Sequence, residues 1–216
     1  MKVGIIGSAA VGQRLAKAFN SEGHKVMLGT RNTSKEEVVK FKNENQSIAV
    51  GTFAEAALFG EILVLATAGA VVEEAIKLAG VDNFNNKVVI DTTNPIAPAP
   101  PVNGVLKYFT SLDDSLMERT QKLLPYTKLV KAFSSVGNLL MYKPKLQGGT
   151  PTMFICGNDE TAKKVVTDIL TAFGWETEDL GKVEAARAIE PICILWCIPG
   201  FLKNDWMHAY KVLKPV

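Results

Sequence analysis

The sequence predicts a doubly wound α/β fold, with a mainly parallel sheet of about eight strands and a short C-terminal helical extension. Three observations lead there. Short apolar runs alternate with amphipathic helical patterns along the whole chain, the signature of parallel strands covered by helices on both faces. A small-residue turn, Gly7-Ser8-Ala9-Ala10-Val11-Gly12, follows the first apolar run with no spacer. The 216 residues are 47% hydrophobic and 21% charged, which suits one α/β domain with a sizeable core.

Residues 2–6 form a short apolar run, as expected of a buried parallel strand. The helix that follows carries Val11, Leu15, Ala18 and Phe19 on one face. A second strand occupies 24–28 and leads into the basic turn 29–35. Residues 36–45 read as an exposed helix and 47–50 as a third strand. Thr52 caps a small helix through Phe59. Residues 61–66 are a strong fourth strand ending in Thr67-Ala68-Gly69, followed by a helix over 71–79. The fifth strand, 87–91, runs into Thr92-Thr93-Asn94-Pro95. Residues 95–104 are proline-rich, which excludes regular structure and suggests a shaped surface loop. A helix over 115–124 and a sixth strand over 128–133 come next, then a second loop at 142–150. Strand seven spans 152–157, a helix runs from Asp159 to Phe173, and strand eight spans 175–179. From Lys182 a last helix is predicted, interrupted near Pro191. The nucleotide-binding core is expected over 1–137 and a substrate-side extension over 138–216 of a single domain.

The first strand, turn and helix carry the chemistry. N–H groups opening a helix have no internal partner, and the helix dipole favours an anion there, most often a pyrophosphate. NAD-preferring sites place Asp or Glu about 20 residues after the glycines, on the ribose 2′-hydroxyl. Here Gly29-Thr30-Arg31-Asn32-Thr33-Ser34-Lys35 has no carboxylate before Glu36. Thr30, Arg31, Ser34 and Lys35 instead supply the cations and donors a 2′-phosphate needs. The expected cofactor is therefore NADP(H) in a Rossmann-type site. Ala9 replaces the second glycine of G-x-G-x-x-G, and the resulting G-x-A-x-x-G with its Arg-containing turn resembles the NADP-binding start of 6-phosphogluconate dehydrogenase.

Ligands of open parallel sheets sit outside the carboxyl ends of the strands. Ala66, Thr67 and Ala68 are expected against the nicotinamide ribose. Asn94 either bonds the carboxamide or forms its own Asn-Pro turn with Pro95. Ser134, Ser135, Val136 and Gly137 either line the substrate side or form a polar loop. His24 reads as structural, while His208 either closes over the cleft or packs. Glu190 is either a carboxylate near the site or part of a helix-end salt bridge, and Trp196 reads as core or interface. Cys193 and Cys197, four apart, are a metal pair or, with no histidine near in sequence, buried thiols. No catalytic residue and no metal ligand stands out.

Composition narrows the partners. A net charge of +2, with basic residues spread along the chain, gives no reason to expect nucleic acid. Met1-Lys2 leads straight into the first strand, so no targeting segment is expected, and the apolar run 192–202 is too short for a bilayer. Three cysteines make no disulfide framework, which favours a reducing cytoplasm. Ile198, Phe201, Leu202 and Trp206 suggest burial between subunits of a homodimer.

The ordered segments GIIGSAAVGQRLAKAF, HKVMLGTRN, DTTNP, KLVKAFSSVGN, PTMFICGND and DLGKVEAARAIEPICILW resemble the family of F420-dependent NADP oxidoreductases, from residue 2 to about 197. They also resemble the cytoplasmic reductase domain of the STEAP metalloreductases. The resemblance implies NADP(H) in a Rossmann site, a second reactant stacked on the nicotinamide, and a cleft closed by the C-terminal segment. By matching motif, Ser8 to Gly12 would meet the pyrophosphate, Thr30 and Arg31 the 2′-phosphate, with Lys35 beside them. The sequence departs from the pattern at Ala9, where the F420 enzymes have Gly, and at Ser134, where relatives often have Asn.

The implied reaction is hydride transfer between NADPH and a small-molecule acceptor, a flavin or the deazaflavin F420. It needs the two rings held roughly 3–3.5 Å apart and water excluded, with no obligatory acid–base residue. Two other readings compete. One is a hydroxyacid or imine reductase, which needs a long helical second domain that residues 134–216 are too few to supply. The other is a non-catalytic NADP(H) sensor.

Overall fold

The computed structural model describes residues 1–215. It contains strands β1 (Lys2–Ile6), β2 (Lys25–Thr30), β3 (Ala49–Thr52), β4 (Ile62–Leu65), β5 (Val88–Asp91), β6 (Lys128–Lys131), β7 (Thr152–Gly157) and β8 (Glu176–Asp179). They form one eight-stranded sheet in the order β3-β2-β1-β4-β5-β6-β7-β8. The helices are α1 (Ala10–Ser21), α2 (Glu36–Glu44), α3 (Phe53–Phe59), α4 (Val72–Ala79), α5 (Leu116–Leu123), α6 (Glu160–Ala172) and α7 (Ala186–Lys203). This is the doubly wound Rossmann arrangement, with the winding direction reversing between β1 and β4.

The two-residue period of the strands sorts side chains onto two faces. Val3, Ile5, Val64, Ile90 and Val130 pack with Leu15 and Phe19 of α1 and Val166 of α6. Ile6, Leu63, Leu65, Val89 and Leu129 pack with Ala56 of α3, Ile76 of α4, Met117 of α5 and Ile189 of α7. Helix starts follow local rules. Thr52 and Ser115 each close a capping box, with Glu55 and Glu118 respectively, and Asp159 caps α6.

Three features differ from the sequence expectation. First, β2 runs on to Thr30, so Gly29 and Thr30 belong to the strand and β3 pairs two residues later than expected. Second, β7 is antiparallel to β6, and β8 is parallel to β7. A parallel continuation needs a crossover back to the starting edge, usually a helix. The connection over 132–151 holds only the short 3-10 turn Asn138–Leu140, so the chain stays at the carboxyl edge and re-enters the sheet from there. Third, α7 is not interrupted near Pro191. It is continuous through Pro191 and Pro199 and ends at Asn204 in the left-handed conformation. Each proline removes one N–H bond, to Arg187 and to Leu195, both outside the face that buries Ile189, Glu190, Cys193, Trp196 and Gly200. With its leading turn the segment Val183–Lys203 reaches 21 residues and contains an 18-residue window of mean hydropathy 1.5, long and apolar enough to cross a membrane. That corrects the expectation, drawn from the 192–202 run alone, that this segment is too short. About 33% of that window is buried in the protein, and an ion pair at Glu190 ties the helix to the core.

Candidate functional site

A cleft of ≈ 230 Å³ opens at the switch point. Gly7, Ser8 and Ala9 line it after β1, Thr30, Arg31 and Lys35 after β2, and Ala66, Thr67 and Ala68 after β4. Three loops distant in sequence thus converge where an open sheet binds its ligand. Val71, Glu74 and Ala75 at the start of α4, with Glu37 and Phe53, complete the wall.

The glycine turn is shaped by steric necessity. Gly7 has φ 133°, and a Cβ there would overlap the Ala66 backbone. A Cβ on Gly12 would overlap the Gly7 carbonyl oxygen. Gly12→Ala should therefore lower stability by about 1–3 kcal/mol through overpacking and distort the turn. A thermal scan with and without nucleotide would show both a lower midpoint and a lost ligand shift; an unchanged midpoint would contradict this reading.

Helix α1 begins at Ala10 with Ala9 as N-cap, no side-chain cap and no acid in its first turn. The Ala10, Val11 and Gly12 N–H groups have no intrahelical acceptor, and no side chain at Ala9 caps them as Thr52, Ser115 and Asp159 do at α3, α5 and α6. Ser8 Oγ donates to Thr30 Oγ1 at 3.0 Å, which ties the glycine turn to the end of β2. Thr67 Oγ1 is buried without a partner in the cleft wall. An unpaired hydroxyl, open helix N–H groups and two cations fit a dinucleotide with an extra phosphate.

Arg31 and Lys35 do not stand alone. Arg31 Nη1 lies 3.8 Å from Glu74 Oε1, and Lys35 Nζ lies 3.4 Å from Glu37 Oε1. Sequence reasoning missed both carboxylates. The signal for Glu74 is its spacing: positions 71, 74 and 75 share the face of the helix that starts at the end of β4.

The remaining candidates lie deeper along the carboxyl edge, outside the cleft wall. Asn94 Nδ2 donates to Ser134 O at 3.0 Å, and Ser134 Oγ donates to Asn94 Oδ1 at 2.6 Å. These two bonds clasp the loops after β5 and β6. Thr92 Oγ1 donates to Leu65 O at 2.8 Å and joins the same loops to β4. Pro95, Ser134, Ser135 and Val136 are buried. Phe133 turns the chain out of β6 with φ 60°, a left-handed conformation that costs a bulky residue about 1–3 kcal/mol. Its N–H reaches Met153 Sδ at 3.1 Å.

Gly137 lies against the Trp196 ring, where a Cβ would clash. Trp196 Nε1 donates to His208 O at 2.8 Å, and the His208 ring stacks on Trp196 at 5.3 Å. The chain after α7 then crosses the carboxyl edge. The Thr152 N–H donates to Tyr210 O, and the Val212 N–H donates to Thr152 Oγ1. It reaches this edge because β7 and β8 start there. His24 sits at the opposite edge against Phe19, its basicity lowered by burial. Cys193 and Cys197 are buried beside Trp196, and among the described residues no group of His, Cys, Asp and Glu side chains could hold a metal ion.

Beneath the clasped loops lies a sealed ionic cluster. Lys131 Nζ contacts Asp91 Oδ2 at 2.8 Å, Glu190 Oε1 at 2.9 Å and Thr93 O at 2.7 Å. Glu190 also accepts from the Leu116 and Met117 N–H groups, which caps α5. Its carboxylate thus joins a helix end to an ion pair within the core.

Residues 2–95 match the family model described as "NADP oxidoreductase coenzyme F420-dependent". Over that stretch the chain is similar to that family. Its nucleotide-binding half is that of an NADP-dependent oxidoreductase. It is 28% identical over 207 residues to the F420-dependent NADP reductase of Methanocaldococcus jannaschii, covering 89% of each chain. It is 27% identical over 223 aligned positions to the metalloreductase STEAP3 of Rattus norvegicus, where it covers 100% of this chain but only 42% of that protein. A crystal structure of a candidate F420-dependent NADP-reductase from Arthrobacter sp. FB24 superposes with a TM-score of 0.92 at 28% identity, covering 99% of this chain and 100% of that one.

Proposed function

We propose that this protein transfers hydride between NADP(H) and a flavin-like or deazaflavin (F420-type) ring. The observation that carries the reading is one cleft that gathers the open N-terminus of α1, the unpaired Thr67 hydroxyl and the cations Arg31 and Lys35. Ser8 to Gly12 would hold the pyrophosphate, and Thr30, Arg31 and Lys35 the 2′-phosphate. When bound, the nicotinamide supplies the hydride at its C4. The protein orients that ring with the loops after β4, β5 and β6, which Asn94, Ser134 and Thr92 stitch into one rigid edge.

The choice of acceptor follows from what the cleft lacks. Asp91 and Lys131 are sealed in the cluster below, and neither His nor Cys lines the cleft. Reducing a hydroxyacid precursor or an imine calls for a positioned proton donor, whereas a flavin-like ring accepts hydride without one. Calorimetric titration with NADPH and NADP⁺ tests the cofactor, and binding of neither would end the proposal. Stopped-flow oxidation of bound NADPH by F420, FMN and a ferric chelate tests the acceptor. Binding without turnover on any of them would make the protein a sensor.

The proposed assembly is a homodimer through the exposed apolar residues Phe201 and Leu202 together with Leu195; Ile198 and Trp206, expected in the same strip, are half-buried, Trp206 against Trp196 and Phe201 of its own chain. A monomer mass in light scattering at micromolar concentration would remove it. The proposed compartment is the cytoplasm, because Cys156, Cys193 and Cys197 are free thiols. Burial pushes the Cys156 thiol up to about 12, so it should resist alkylation at neutral pH.

A further inference from the structure

The formal charges at the 2′-phosphate end of the cleft cancel: Arg31 and Lys35 against Glu37 and Glu74. The two pairs are built differently. Lys35 and Glu37 stand two residues apart on one turn, so that pair stays on its own wall. Glu74 reaches Arg31 from α4, so the Arg31–Glu74 pair bridges opposite walls. The side chains are 56% and 60% exposed, which leaves both free to change partners. A 2′-phosphate on Arg31 brings up to two more negative charges beside the Glu74 carboxylate.

We propose that Glu74 is a specificity-determining residue that limits discrimination between NADP(H) and NAD(H). It holds Arg31 when no phosphate is present and competes with the phosphate for the guanidinium. It also repels the phosphate directly. A ribose bearing a 2′-hydroxyl meets no such penalty, since a hydroxyl can donate to a carboxylate. Glu74 therefore opposes one cofactor and tolerates the other. The inference rests on the NADP(H) reading above.

The test is the dissociation constants of NADP⁺ and NAD⁺, measured by calorimetry for the parent, E74Q and E73Q. Glu73 is the internal control. It loses the same charge one residue away, is paired with Lys77 and does not line the cleft. E74Q should tighten NADP⁺ about three- to fivefold at low salt, the scale of one half-exposed charge interaction. NAD⁺ should be unchanged or weaker. The gain should shrink in high salt, where charges this exposed are screened. E73Q should leave the ratio of the two constants alone. If the parent prefers NADP⁺ but E74Q binds it equally or more weakly, or if E73Q gives the same gain, the role of Glu74 is overturned and the cofactor reading survives. A parent with no preference for NADP⁺ overturns both.

Discussion

Lys131→Met should lower the thermal midpoint by roughly 6–20 °C. The substitution leaves Asp91 and Glu190 as buried carboxylates with no cation, and removing one partner of a buried ion pair costs about 3–5 kcal/mol. In a chain of this size each kcal/mol shifts the midpoint by about 2–4 °C. Lys131 is fully buried, as are Asp91 and Glu190. Burial alone would lower the lysine's basicity, but Asp91 and Glu190 outweigh it and hold the ammonium above its ordinary value of 10.5. The sign follows from that direction. A group whose folded pKa is raised contributes fully below its unfolded value and loses that contribution as pH climbs through the folded one. The lysine's own contribution should therefore hold across neutral pH and fade in alkali. Adding Asp91→Asn and Glu190→Gln should recover part of the loss, because an all-neutral replacement of buried ions is often tolerated. A single variant that melts within a degree or so of the parent would show that the cluster is not a keystone of this edge.

The nucleotide-binding half was legible because its signals are local. An apolar run, a glycine turn and an amphipathic helix in direct succession allow few arrangements, and Gly7 and Gly12 occupy positions where a side chain would collide with backbone. The basic turn was legible for the same reason, since Thr30, Arg31 and Lys35 lie within six residues at one strand end. The C-terminal half resisted because its determinants are distant. The direction of β7 depends on a connection that never leaves the carboxyl edge, which no short window reveals. The continuity of α7 depends on packing that offsets two missing hydrogen bonds at Pro191 and Pro199. Glu190 illustrates the limit best. Its sequence context allows either a carboxylate near the site or a helix-end salt bridge. Only the fold, which brings Lys131 and the start of α5 to it, shows an ion pair and a helix cap in the core.

Arg31→Glu should weaken NADPH binding by roughly 30- to 1,000-fold while leaving NADH within a few-fold. A charge-assisted hydrogen bond to phosphate contributes about 1.5–3 kcal/mol, and reversing the charge adds repulsion, for a total of about 2–4 kcal/mol. Local geometry argues for the upper part of that range. Glu37 and Glu74 already line this end of the cleft, so a third carboxylate would leave Lys35 as the one cation of that cleft wall. Arg31 is half-exposed, and its contact with Glu74 is a surface pair worth little to folding. The variant should therefore melt near the parent, which separates lost affinity from lost structure. The effect should also fall as salt rises, because the charges involved are open to solvent. Competition titrations with adenosine 2′-monophosphate and adenosine 5′-monophosphate isolate the phosphate from the rest of the cofactor. The first should lose affinity and the second should not. An Arg31→Glu protein that keeps its preference for NADPH would mean the 2′-phosphate is held elsewhere, and the role assigned to the end of β2 would have to be given up.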